Sequence, residues 1–100
     1  MNNRMDLPSF RGGFSLESRE LNVSLFKFPE DGAPNTVVVR IVNYSEHTGN
    51  GQLTCPDTIV SAFETDLLEQ PLRESKYRDN LLTCVLSPYE IKTYRVTLKV

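Results

Sequence analysis

Five of the six consecutive residues Val37-Val38-Val39-Arg40-Ile41-Val42 are β-branched. Two heavy atoms on Cβ restrict χ1 and suit a pleated surface better than a helix. Successive side chains on a strand point to opposite faces, so Val37, Val39 and Ile41 share one face and Val38, Arg40 and Val42 the other. Both faces are largely apolar. That pattern predicts a central strand over residues 36–44, covered on both sides, and a sheet protein arranged around it.

The rest of the chain agrees in short pieces. Residues 14–17 form a brief strand after the Arg11-Gly12-Gly13 turn, and residues 1–13 read as a leader or linker. Leu21, Val23 and Leu25 alternate with Asn22 and Ser24, then Phe26-Lys27-Phe28 continues in the opposite phase. A bulge near Leu25 accounts for the switch. Residues 29–35 are rich in Pro, Asp, Gly and Asn and read as a turn. Residues 52–55 and 58–65 follow as strands. Residues 66–72 read as a helical turn or irregular crossing ended by Pro71, and the polar residues 73–80 as an exposed loop or hairpin tip. Leu82, Cys84 and Leu86 alternate with Thr83 and Val85. A Ser87-Pro88-Tyr89-Glu90 corner then feeds a last strand over residues 91–100. No amphipathic helix of ~10 residues stands out. About seven short strands with turn signals between them predict an all-β fold, an antiparallel β-sandwich forming a single domain over residues 14–100.

A net charge of −2, with Lys and Arg scattered, supplies no basic field for phosphate neutralisation, so no nucleic-acid partner is expected. No stretch approaches the ~20 apolar residues that span a bilayer, and no membrane partner is expected. The first ten residues lack the apolar centre of an export signal, which reads as a cytoplasmic chain. Cys55 and Cys84 stand 29 positions apart with no Cys-x-x-Cys pair. They read as two small buried hydrophobes rather than a thiolate metal or redox site.

Candidate chemistry is thin. His47, the single histidine, sits in a Gly/Asn-rich loop and reads as solvated. Glu64 and Asp66 are two apart and share a face on an ideal strand, which would suit paired acid chemistry in a cleft; a solvated edge or turn anchor is the preferred reading, with Asp66 accepting backbone N–H groups at the start of residues 67–69. Glu90, at a corner before Ile91, reads as a tie between turn and neighbouring strand, pairing with Lys92 or Arg95. Tyr44 and Tyr77 are expected as the more exposed tyrosines. A Gly-rich phosphate loop is not recognisable, since Gly49-Asn50-Gly51 is followed by no helix.

Four blocks then appear in order. They are Leu21-Asn22-Val23-Ser24-Leu25-Phe26-Lys27 with Pro29-Glu30-Asp31-Gly32; Val37-Val38-Val39-Arg40-Ile41-Val42-Asn43; Ala62-Phe63-Glu64-Thr65-Asp66-Leu67-Leu68-Glu69-Gln70-Pro71-Leu72; and the Pro88-Tyr89-Glu90-Ile91-Lys92-Thr93 corner. In order and spacing the set resembles the terminal β-domain of glycoside hydrolase family 38, the α-mannosidases and mannosylglycerate hydrolases. The resemblance covers most of residues 21–98.

It implies a parent enzyme that hydrolyses α-mannosides with retention, using zinc and an Asp nucleophile held in a separate N-terminal α/β domain. No position here matches those motifs, so no catalytic, cofactor-binding or metal-ligating residue is assigned to this chain. The implied role is a non-catalytic C-terminal accessory domain, its partners the catalytic and middle domains of the parent in cis or as a split chain. Small carbohydrate-binding and immunoglobulin-like interaction modules are the alternatives. Val38 and Val42, and Leu81 and Val85, are the candidates for the domain interface, which predicts an exposed apolar patch and self-association of the free chain. Glu90 and Tyr89 are the candidates for a substrate rim.

Overall fold

The computed structural model describes residues 3–6, 13–68 and 70–99, the first four as backbone alone. Two five-stranded antiparallel sheets face each other, and no described residue is helical. The elements are β1 (Asn3–Asp6), β2 (Ser15–Ser18), β3 (Leu21–Lys27), β4 (Thr36–Asn43), β5 (Gly49–Thr54), β6 (Ile59–Thr65), β7 (Pro71–Glu74), β8 (Tyr77–Arg78), β9 (Leu81–Leu86) and β10 (Ile91–Leu98). One sheet runs β1-β2-β5-β9-β8, the other β3-β4-β10-β6-β7.

The β-branched run is β4. It lies between β3 and β10, in register Val39↔Tyr94 and Val39↔Phe26. Val37, Val39 and Ile41 are fully buried against Leu53, Leu82, Cys84 and Leu86 of the opposite sheet, in a core that Leu21, Tyr94, Val96 and Leu98 complete. Phe14 and Phe26 meet edge to face with centroids 5.0 Å apart, an arrangement favoured by the ring quadrupoles. The expected bulge is present: the β3–β4 register slips between Val23 and Leu25. It turns Val23 and Phe26 alike toward the core, as the phase switch requires.

Leu21 explains two glycines. A Cβ on Gly49 would lie 2.5 Å from Leu21 Cδ2, and one on Gly51 2.9 Å from Ser18 Cβ. The leucine that crosses from one sheet toward the other needs bare backbone beneath it. Ser18 makes the crossing tight. Its Oγ accepts from Leu21 N at 2.9 Å and donates to Asn50 O at 2.7 Å, tying the β2–β3 turn to β5.

Three elements exceed the sequence expectation of about seven strands. Within the expected leader, Asn3–Asp6 pairs with β2 as β1 and covers an edge that would otherwise stand open; residues 1, 2 and 7–12 of that leader lie outside the described residues. The expected polar loop over residues 73–80 contributes the end of β7 and all of β8, whose residues are exposed. Strands on an edge bury no alternating face, so their sequence carries no period to read. Residues 66–68 form a turn and Pro71 opens β7, so no helix forms there.

Val38 and Val42 need correction as interface candidates. They lie on the outer face of their sheet, as expected, yet only 1% and 7% of their surfaces are exposed. In register, Val38 stands between Lys27 and Arg95, and Val42 between Asn22 and Ile91. Beside Val38, the Lys27 and Arg95 stems are long enough to roof the valine while their heads pair with Glu30 and Asp31. Neither valine is left to meet a partner. Leu81 is half-buried, and Val85 alone of the four candidates is exposed.

Candidate functional site

The acids suggested by the sequence are spent on the fold. Asp66 Oδ1 accepts from Leu68 N at 2.8 Å and Gln70 N at 2.9 Å, closing the β6–β7 turn as expected. Glu64 points into a separate place: its carboxylate lies 3.6 Å from Lys92 Nζ and 3.9 Å from Arg73 Nε. Glu90 accepts from Ser87 N at 2.8 Å, so it ties the corner to itself. The expected partners are otherwise engaged, Lys92 with Glu64 and Val85 O, and Arg95 with Asp31 at 2.9 Å. His47 is exposed, its Nε2 4.0 Å from Glu46.

Glu64 and Lys92 line a cleft of about 320 Å³ where the sheets part, walled also by Arg73, Thr83, Val85 and Tyr94. Burial pushes the Tyr94 phenol well up, with Cys84 and Glu64 adding to the shift. Cys55 and Cys84 are free and buried. Burial raises both thiols to about 12, with the Tyr94 hydroxyl pulling Cys84 partly back. Cys84 faces Gly51 in the β5–β9 ladder, four residues before Cys55, so the two are out of register for a bond. These groups make a neutral, inert interior. Among the described residues, no three His, Cys, Asp or Glu side chains converge to hold a metal. The zinc implied for a parent enzyme therefore finds no fitting donor set among them.

A buried polar node, which the sequence reading missed, organises the end of the molecule that holds the Pro88 corner. Asn43 is fully buried. Its Nδ2 donates to His47 O, Ser87 O and Leu86 O at 2.7, 3.0 and 3.2 Å, and its Oδ1 accepts from Ser45 N and Ser45 Oγ. One amide thus locks the β4–β5 loop to the β9–β10 corner. A lone Asn ending a β-branched run was the available signal, since a polar residue on a buried face needs partners.

On this node stand exposed aromatics. Tyr44 and Tyr89 each show 66% of their surface, whereas Tyr94 is buried and Tyr77 is held by a bond from its hydroxyl to Val60 O. Tyr44 and Tyr77 are exposed as expected, Tyr77 less so at 38%, and Tyr89 joins Tyr44 as the more exposed of the set. Tyr89 has φ +59°, the left-handed region, and Glu90 N donates to Ser87 O across it. With Pro88 before it, Tyr89 occupies the position that type II turns reserve for glycine.

Residues 20–94 match the family model described as the glycosyl hydrolases family 38 C-terminal beta sandwich domain. The chain belongs to that family. No curated protein matches the sequence. The family 38 C-terminal sandwich match ends at Tyr94, inside β10, and begins one residue before β3. It thus takes in the whole of the node, the cleft residues from Glu64 to Lys92, and the corner.

Proposed function

We propose that this chain is the non-catalytic C-terminal accessory β-domain of an α-mannosidase-like hydrolase. It packs against the catalytic and middle domains of that enzyme, in cis or as a separate chain, and supports them. The zinc and the bond-breaking carboxylates belong to the catalytic domain. The observation that carries this reading is the family match across 20–94. The local chemistry is compatible with it, since Asp66, Glu90 and Glu64 each serve turn backbone or an ion pair.

The test uses a family 38 catalytic portion truncated before its terminal sandwich. Adding this chain should raise the melting temperature of the truncated enzyme and its rate on an aryl α-mannoside. The chain alone, supplied with zinc, should release no aglycone. Turnover by the chain alone, or a truncated enzyme indifferent to a saturating excess of it, removes the reading.

A further inference from the structure

Exposed apolar side chains are unevenly spread over this molecule. Seven of the large ones are 59–80% exposed: Phe28 stands at the far end of β3, and the other six are Tyr44, Leu67, Leu68, Leu72, Tyr89 and Ile91. These six lie within three residues of two cross-strand rows one pair apart, Val42–Ile91 and Thr93–Thr65–Pro71, at one rim of the β3-β4-β10-β6-β7 sheet. The bond from Asn43 N to Glu90 O carries the β4–β10 ladder one step past Ile91 and sets Tyr44 opposite Tyr89. Leu68 leans back over the sheet, where it shares a shallow hollow with Asp31, Gln70 and Arg95.

Among the described residues, the two acids that fall here are turned away from solvent chemistry. Asp66 and Glu90 give their carboxylates to turn N–H groups. What remains outermost among the described residues is leucine, isoleucine and tyrosine ring, bordered by Glu46 and His47, by Arg73, and by the Asp31–Arg95 pair. A charge-depleted centre with a charged border is the composition of a protein interface. At these exposures the six side chains present roughly 800 Å², one partner's share of a standard interface.

Turn tips are ordinarily polar, yet Leu67 and Leu68 fill this one. Tyr89 adds a backbone argument. A bulky residue at positive φ costs about 1 kcal/mol where glycine would cost none. The fold keeps the ring outward at that position, which local stability does not explain.

We infer that this rim is the docking surface for the remainder of a family 38 hydrolase, with Tyr44 and Tyr89 as its rigid anchors and Leu67 and Leu68 as its apolar centre. The inference rests on the accessory-domain reading above and moves the interface away from Val38, Val42, Leu81 and Val85. Sugar rings stack on paired tyrosines too, but a carbohydrate site has little use for three leucines and an isoleucine alongside.

The decisive experiment mixes the chain with the catalytic and middle portions of a family 38 α-mannosidase made without its terminal sandwich, and reads affinity and hydrogen exchange. Protection should concentrate at residues 44–45, 66–72 and 88–91. Leu67→Ser with Leu68→Ser should weaken binding about tenfold while the melting temperature of the chain holds. Tyr89→Gly should weaken binding yet leave the chain as stable or more so, since glycine relieves the backbone. Binding with protection centred on Val85 and the outer face of the other sheet overturns the rim and leaves the accessory reading standing. Absence of binding overturns both. Shifts at Tyr44 and Tyr89 on titration with mannobiose, with the leucine variants silent in the binding assay, make the rim a sugar site and overturn the inference. Dimerisation through the rim that persists when the truncated enzyme is in excess overturns it in favour of a second copy.

Discussion

Strands β4 and β9 sit in opposite sheets and handle their outward faces in opposite ways. In β9 burial alternates: Leu82, Cys84 and Leu86 are buried, Thr83 and Val85 exposed. In β4 seven of eight residues are buried and Arg40 alone is intermediate. The outward face of β9 meets water with neighbours such as Gln52 and Asn50, which stand opposite Thr83 and Val85. That of β4 is roofed by side chains from its own sheet, Lys27 and Arg95 above all. An apolar residue on an outer face therefore says little about partners until its cross-strand neighbours are known. Val38 and Val85 occupy matching positions in the sequence pattern and opposite environments in the fold.

The largest expected effect is at the end of β4. Asn43→Ala removes every bond from its amide and takes that donor from the carbonyl groups of Leu86 and Ser87, while Ser45 Oγ still reaches His47 O. Leaving buried partners unsatisfied costs about 1–3 kcal/mol for the first and more for a network, so a loss of about 3 kcal/mol is expected by urea denaturation. A loss below about 1 kcal/mol would show that water replaces the amide and that the node does not hold the corner.

Next, Val38→Ala should cost about 2 kcal/mol, as a buried truncation, while Val85→Ala stays within about 0.5 kcal/mol. Equal costs would break the contrast between the two strands. Replacing Arg95 by Ala in the Val38→Ala background supplies the sharper form. If the arginine stem is the roof, the two losses should fall short of additive, because each removes the same contact.

These particulars also mark how far the residues could be read from sequence. The clean period of β9 and the doubly apolar period of β4 gave the sandwich and its central strand, because burial on one or both faces is what those periods encode. The bulge near Leu25 was legible as a change of phase, and Asp66 as a turn anchor. The roof over Val38 was not, since Lys27 and Arg95 come from strands 11 and 57 positions away. Nor were β7 and β8, whose exposed residues need no pattern. The Pro88 corner was legible as a corner, but the positive φ of Tyr89 was not, because that position belongs to glycine in most chains. The rim emerged from three such blind spots together: a non-glycine in a glycine position, leucines in a turn, and a ladder that continues past its last strand residue.

A third test falls on β9 and its neighbour. Both thiols are raised in the folded state by burial, from 9.0 to about 12. A raised acid contributes stability that is fully present below its unfolded value and is lost as the unfolded thiol ionises. Stability should therefore be flat up to pH 9 and fall above it, by about 1 kcal/mol per thiol at pH 10. The fall should continue toward pH 12 and then level. Replacing Cys84 by Ala should flatten part of that slope even if it lowers stability throughout. An unchanged slope in that variant would mean that the thiol is not shielded as the packing requires.

The smallest effect concerns the roof's outer tether. Asp31 is held below the usual carboxylate value first by the N–H of Ala33, at 3.0 Å from Oδ1, and then by the Arg95 guanidinium. A depressed acid contributes stability above its unfolded value, near 3.8, and loses it as pH falls through the lower folded value. Asp31→Asn should therefore fall slightly short of the parent chain well above the unfolded carboxyl value and converge on it as pH drops through the lowered folded one, with the gap shrinking in high salt. Asparagine keeps an acceptor for Ala33 N but brings no charge to Arg95. A salt-independent gap would assign the tether to the turn bond alone and leave Arg95 to act on Val38 through its stem.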